Sequence, residues 1–173
     1  MDSDGTSLQE EKYRAVWELA SDPMAFLDRD GLLDCNEAGM RLFGVAEREA
    51  LLGRQLSDFT PPSQPHGVPS HEHVAANIEI AFSNGQSRFE CQLRRGDGSL
   101  LMADISLHRL KIGGGNTAHA VFRDITLRWQ AEQNLRSTKD AIEASLHQLA
   151  NFDAVTGLPN RAHFHERVNV ALW

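Results

Sequence analysis

The longest periodic hydrophobic pattern in this sequence lies at residues 127–152, LRWQAEQNLRSTKDAIEASLHQLANF. The segment contains no glycine or proline and is dense in residues that favour helices, so it predicts one long α-helix. Leu135, Ile142 and Leu149 recur every seven residues, and Leu146 adds the alternate step. Such a narrow apolar stripe is typical of a two-stranded coiled coil. The alternative is a helix that packs on its own domain.

Charged residues interrupt this apolar seam. In the same register, Glu132 and Lys139 fall at the other core positions. Charge at core positions commits a coiled coil less firmly to one packing than an all-apolar seam does. Opposite charges four residues apart support the helix itself by about 0.3 kcal/mol per pair. These pairs are Glu132–Arg136, Arg136–Asp140 and Lys139–Glu143. We therefore predict a parallel, dimeric helix that connects two domains.

Upstream of this helix, residues 21–126 alternate short strands with short helices. Asn36 stands where an N-cap side chain would accept a free backbone N–H, and Asp97-Gly98 predicts a hairpin turn. Two strands, then helices, then three strands indicate an α+β domain, with an antiparallel sheet and helices on one face. The predicted strands are residues 24–27, 32–35, 87–94, 100–110 and 117–125, and the predicted helices are residues 37–43 and 72–83.

A separate amphipathic helix is predicted at residues 8–20, after a disordered lead-in at residues 1–7. Ser7 would cap it, with Glu10 as the acid of a capping box. Its apolar face, which includes Trp17, must cover either the sheet that follows or a second subunit.

Composition narrows the classes of function. The net charge is −7, which argues against binding to nucleic acid or to an anionic membrane. No apolar run approaches the ~20 residues of a membrane span, and the N-terminus carries Asp2 and Asp4 rather than basic residues. Cys35 and Cys91 are expected to be free thiols of a reducing compartment. We therefore expect a cytoplasmic protein.

Few residues carry a pattern that indicates chemistry. His108 and His119 would face each other if Leu110 pairs with Thr117, which we interpret as a solvated cross-strand pair rather than a metal site. We predict no metal site and no catalytic residue. The apolar residues of the sheet are most simply a core, and the alternative is a small ligand pocket. The candidate pocket residues are Phe43, Asn77, Ile78, Phe89, Cys91, Leu101 and Ile105.

Three motifs together resemble the PAS sensor domain family. They are DRDGLLDCNEAGMRLFG at residues 28–44, GDGS at residues 96–99 and VFRDIT at residues 121–126. The resemblance covers residues 21–126 and implies a five-stranded antiparallel sheet whose helices enclose a small pocket. It also implies that the outer face of the sheet is often used for dimerisation.

The same resemblance raises the question of a cofactor. Some PAS domains bind haem through a histidine before the third strand, where His71 and His73 stand in this sequence. Flavin-binding members carry an Asn-Cys-Arg-Phe type motif, and Cys35-Asn36 reverses its order. We therefore expect neither haem nor flavin, and a small-molecule ligand stays open.

The residues after the long helix resemble a second family. Residues 151–161, NFDAVTGLPNR, are similar to the Asp-x-Leu-Thr-Gly-Leu-Pro-Asn-Arg opening of a GGDEF domain, with Val155 in place of the leucine. This resemblance implies a parent protein that makes cyclic di-GMP from two GTP molecules. Trp173 comes before any GG(D/E)EF loop, so we expect residues 153–173 to be a truncated start and this chain not to be an enzyme.

Together these features favour a sensory module that forms a homodimer and signals through residues 127–152 to a diguanylate cyclase. The alternative is a ligand-free protein-interaction and dimerisation module, which would also suit regulation of a GGDEF–EAL phosphodiesterase. The predicted dimer contacts come from the N-terminal helix and from Glu132, Leu135, Lys139, Ile142, Leu146 and Leu149.

Overall fold

The computed structural model describes residues 3–112, 115–152, 158 and 160. They fall into two units, Met1–Thr126 and Leu127–Trp173. The first unit contains one antiparallel sheet of five strands in the order β2-β1-β5-β4-β3. The elements are α1 (Ser3–Leu19), β1 (Met24–Leu27), β2 (Leu32–Cys35), α2 (Glu37–Phe43), α3 (Ser70–Asn84), β3 (Gln86–Arg94), β4 (Leu100–Ile112), β5 (Gly115–Asp124) and α4 (Thr126–Asn151). Two 3₁₀ turns, Arg48–Ala50 and Leu56–Phe59, precede α3.

The predicted α+β fold is confirmed, and the alternation of the strands explains it. Successive side chains of a strand point to opposite faces, so every second residue of the last three strands enters the core. α3 covers this face with Val74, Ala81 and Phe82, and α2 adds Phe43. The residues of these three strands that belong to the core are Phe89, Cys91, Leu93, Leu101, Ala103, Ile105, Leu107, Ala118, Ala120 and Phe122.

The hairpin of β4 and β5 has the register that the sequence suggested. Leu110 pairs with Thr117, so His108 lies opposite His119 on the outer face of the sheet. The ladder continues to Ile112 and Gly115. The prediction ended one strand at residue 110 and began the next at residue 117, so both strands extend further into the turn than expected. Gly113 and Gly114, between them, lie outside the described residues.

Two predicted helix starts are wrong by two residues or more. α1 begins at Ser3 rather than at residue 8, so the expectation of a disordered lead-in fails for residues 3–7. Met1 and Asp2 lie outside the described residues. α3 also begins two residues early, at Ser70, directly after Pro69.

The second unit consists, in its described part, of α4 and the residues that follow it. No described residue of α4 is buried. The predicted ion pair between Lys139 and Glu143 is present at 3.6 Å, whereas Glu132 contacts Arg128 one turn earlier. The predicted start of a further domain at residues 153–173 lies outside the described residues, apart from Leu158 and Asn160. In the described ranges, no helix is long and apolar enough to span a membrane.

Candidate functional site

The candidate pocket residues lie in the interior of the first unit. Phe43, Phe89, Cys91, Leu101 and Ile105 belong to one buried core, and Ile78 packs against it. Asn77 lies beside this core and is half-buried. Its amide donates to the carbonyl oxygen of His73 at 2.9 Å and accepts from the Ser87 hydroxyl at 3.1 Å. The polar group that we expected at the edge of a pocket therefore joins α3 to β3.

Aromatic contacts fill part of this interior. The ring of Phe43 lies 4.5 Å from that of Phe59 and 5.5 Å from that of Phe122, in tilted and edge-on geometries that aromatic pairs favour. Burial raises the pKa of the Cys91 thiol to about 12 and, with the nearby Asp34 carboxylate, that of Cys35 to about 11. Both cysteines are free and buried, so they are protonated packing residues rather than nucleophiles.

Two side chains that the hydrophobic pattern did not reveal cover the free edge of β3, the last strand of the sheet. Gln64 is buried, accepts from the Gln92 N–H at 2.6 Å and donates to the Gln92 carbonyl at 3.3 Å. Its amide thus replaces one residue of a missing neighbouring strand. His73, considered above as a haem ligand, places Nε2 3.0 Å from the Glu90 carbonyl oxygen at the same edge. Only its position in a proline-rich loop distinguished Gln64 in the sequence.

Asn36 joins three elements. As predicted, its side-chain oxygen caps α2 by accepting from the Gly39 N–H at 2.8 Å, and it also accepts from Met24 N–H at 2.9 Å. Its amide nitrogen donates to the carbonyl oxygens of Trp17 and Asp22 at 3.2 and 3.0 Å. Both donor and both acceptor positions of this fully buried side-chain amide are therefore used in hydrogen bonds.

α1 lies against the outer face of the sheet through its last turn. The Trp17 ring stacks on Phe26 with centroids 4.7 Å apart and planes 11° apart. Glu18 forms an ion pair with Arg48 and accepts from the Glu37 N–H at 3.1 Å. A groove of about 610 Å³ runs beside Trp17. The other apolar residues of α1, Leu8, Tyr13, Val16 and Leu19, are exposed.

The end of β5 fixes the start of the last helix. The Asp124 carboxylate accepts from the Thr126 N–H at 2.9 Å and contacts Arg95 at 2.5 Å. Thr126 in turn accepts from the Met102 N–H at 3.0 Å through its hydroxyl. Although burial acts in the opposite direction, the hydrogen bonds from Thr126 and the charge of Arg95 hold the pKa of Asp124 below its ordinary value. The Asp-Ile-Thr motif is therefore a hydrogen-bonded junction.

The six predicted seam residues all lie on α4 and are exposed. The exposed fractions of Leu135, Ile142, Leu146 and Leu149 are 72, 54, 61 and 68%. At the end of the helix, Asn160 donates its backbone N–H to the Asn151 carbonyl at 2.8 Å and its side-chain amide to the Ala150 carbonyl at 2.6 Å. Asn160 thus satisfies carbonyl groups that the helix end leaves open. Among the described residues, no group of three or more His, Cys, Asp or Glu side chains could hold a metal ion.

Comparison with known proteins gives one family match, the PAS domain, over residues 21–127. The PAS domain of an HTR-like protein from Haloarcula marismortui superposes with a TM-score of 0.59 and 23% identity, covering 72% of this chain and all of that one. An RNA-binding light-oxygen-voltage receptor gives a TM-score of 0.63 and 22% identity over 82% of this chain and 40% of its own. These similarities concern the fold.

Two curated proteins are similar along most of the sequence. An uncharacterized protein of Azorhizobium caulinodans is 26% identical over 157 residues, which is 89% of this chain and 20% of that protein. A methyl sulfide methyltransferase-associated sensor of Methanosarcina acetivorans is 24% identical over 86% of this chain and 14% of its own length. The chain therefore spans a fifth or less of the length of the curated relatives that it matches.

Proposed function

Because this chain belongs to the PAS domain family, we propose that it is the sensory module of a dimeric protein and signals through α4 to a diguanylate cyclase domain. Residues 21–127 form the sensor domain. A relative named as a methyltransferase-associated sensor supports a signalling role. The proposal adds a partner, a second copy of the chain, and an output, the synthesis of cyclic di-GMP in the cytoplasm.

The exposed seam of α4 is the observation that carries this proposal. Leu135, Ile142, Leu146 and Leu149 leave more than half of each side chain exposed in a single chain. Burying such a side chain contributes roughly 1.5–3 kcal/mol, so a second copy that covers the seam stabilises both helices. The heptad spacing suits a parallel coiled coil, which would place two identical output domains side by side.

The charged seam positions suggest how a signal passes along this helix. Glu132 and Lys139 contact Arg128 and Glu143 of their own helix, as they can while they remain near solvent. Packing of the seam competes with these contacts. Two registers of the coiled coil would then differ by only a few kcal/mol, and a change in the sensor domain can shift their populations.

The output is inferred from the residues after α4. NFDAVTGLPNR resembles the opening of a GGDEF domain. Asn160 of this segment donates hydrogen bonds to the carbonyl groups of Ala150 and Asn151 at the end of α4. Catalysis would require the loop and metal ligands of a complete GGDEF domain.

Two measurements test the proposal. Native mass spectrometry of the chain at low micromolar concentration should give a dimer, and a persistent monomer would contradict the role of the seam. The full-length protein should convert GTP to cyclic di-GMP, and the double substitution Leu135→Asn with Leu149→Asn should abolish that activity. If activity is absent, or survives the loss of the dimer, the cyclase output is wrong.

A second function, a ligand-free interaction and dimerisation module, is favoured by the packing of the interior. Five of the seven candidate pocket residues are part of the buried core, and Asn77 is engaged by His73 and Ser87. Such a module would equally suit a GGDEF–EAL phosphodiesterase. The same native mass spectrum separates the two: excess mass on each chain indicates a bound ligand, and the bare mass favours the interaction module.

A further inference from the structure

His119 occupies the centre of the contact between α1 and the sheet. It lies on the outer face of β5, opposite Phe26 of β1 on one side and His108 of β4 on the other. Trp17 of α1 covers it, with ring centroids 5.8 Å apart, and the Phe26 ring lies at 5.4 Å. His119 is half-buried as a result. It is the ionisable group on the sheet that the docked helix covers most directly.

The charges around His119 do not favour a proton on its ring. The charged or titratable residues of the groove are Tyr13, Arg14 and Glu18 on α1, Asp34 on β2, and Arg48. Both carboxylates are engaged by Arg48, through an ion pair with Glu18 and a 3.5 Å contact with Asp34. His108 of β4 is its cross-strand neighbour. Burial, and then His108, lower the pKa of His119 below its ordinary value.

One buried group opposes the docked position of α1. The Trp17 indole N–H is buried and has no hydrogen-bond partner in the described part of the chain. A buried donor without a partner costs about 1–3 kcal/mol, which is recovered when water reaches it. Tyr13, Val16 and Leu19 of the same helix are exposed and add little to the contact. The unpaired N–H therefore narrows the free-energy difference between the docked and released positions, which the Glu18–Arg48 ion pair and the stack on Phe26 favour towards docking.

We propose that protonation of His119 releases α1 from the outer face of the sheet, so that mild acidification is a signal this sensor domain detects. This inference goes beyond the proposed function, which leaves the signal open, and it does not depend on the cyclase output.

The direction of the effect follows from linkage. In the released form His119 is exposed and titrates near its ordinary value of about 6.5, whereas in the docked form it titrates lower. When the pH is above this ordinary pKa, His119 is neutral in both the docked and the released form, and docking is at full strength. Between the two values the released form binds the proton more readily, so the docking constant falls by up to about tenfold per pH unit. Below the lower value no further weakening occurs.

The accessibility of Trp17 tests this inference in the full chain. With Trp129→Phe and Trp173→Phe, Trp17 is the one fluorescent indole of the three in the sequence. Quenching of its fluorescence by acrylamide, a neutral molecule, should increase at least about threefold from about pH 8 to about pH 5, with the far-ultraviolet circular dichroism unchanged. Equal quenching across this range would overturn the proposal.

Three substitutions assign the effect to His119. His119→Gln should make quenching independent of pH, and His108→Gln, which removes the neighbouring positive charge, should move the transition to higher pH. His66→Gln, at an exposed loop histidine, is the matched control and should leave the pH transition in quenching unchanged. If His119→Gln does not fold, the nuclear magnetic resonance titration of the His119 ring in the unsubstituted chain decides. A value at or above 6.5 would contradict the proposal.

Discussion

The side-chain amide of Asn36 donates a hydrogen bond to the backbone carbonyl of Trp17, across 19 positions of sequence, at 3.2 Å. The same side chain caps α2 and accepts from Met24 N–H of β1. One buried amide thus fixes the end of α1, the first strand and the start of the next helix. The contact places Trp17 over Phe26 and His119, where the proposed response to acid arises.

Replacement of Asn36 by alanine should lower the free energy of unfolding by about 3 kcal/mol. It removes an N-cap and leaves the Met24 and Gly39 N–H groups without their acceptor. Urea unfolding followed by circular dichroism measures the change. Asn84→Ala, at an exposed asparagine that ends α3, is the control and should cost less than about 0.5 kcal/mol. Equal costs for the two variants would contradict the role given to Asn36.

Loss of the Gln64 amide should both destabilise the domain and open the edge of the sheet. Gln64→Leu keeps most of the side-chain volume but leaves the N–H and carbonyl of Gln92 unpaired, at a cost of about 2 kcal/mol. An unpaired edge also promotes strand-to-strand association. Thermal unfolding and sedimentation velocity should show a lower Tm and larger species. Gln86→Leu, at an exposed position of β3, the strand that contains Gln92, should show neither effect.

The junction at Asp124 should make stability depend on acid pH. Since the pKa of Asp124 is lowered in the folded chain, its contribution is present above the unfolded value of about 3.9 and is lost as the pH falls through the lower, folded value. Asp124→Asn should therefore flatten the pH dependence of the urea midpoint in this acidic window and lower the midpoint at neutral pH. The prediction fails if the variant and the parent chain show the same slope below about pH 4.

Removal of the charges from the seam should lock the coiled coil in one packing. With Glu132→Leu and Lys139→Leu together, every core position from residue 132 to residue 149 becomes apolar, so the dimer dissociation constant should fall by at least about tenfold. Sedimentation equilibrium measures this constant. In the full-length protein, the output should no longer respond to the signal. Ser137→Leu with Ala144→Leu, on the opposite side of the helix, adds apolar surface without touching the seam and should change neither property.

Local sequence patterns were sufficient to predict a helix or strand wherever one of its faces had to be buried. The alternation in β3 and β4 predicted which residues enter the core. The pairing of Leu110 with Thr117, on which the opposition of His108 and His119 depended, is present. Asn36 was recognised as a cap because its helix begins at the next residue. The start of α1 was misplaced, since Ser7 resembled a cap although the helix continues to Ser3.

The functional contacts beyond these patterns depend on residues that are distant in the sequence. The sequence by itself determined the α+β fold and the long helix that follows it, because each is encoded by the spacing of neighbouring side chains. Only the tertiary structure decided that Gln64 completes an edge strand at Gln92 and that Trp17 covers His119. Such contacts depend on how loops and helices pack on the sheet, and the polar groups involved carry no period along the chain.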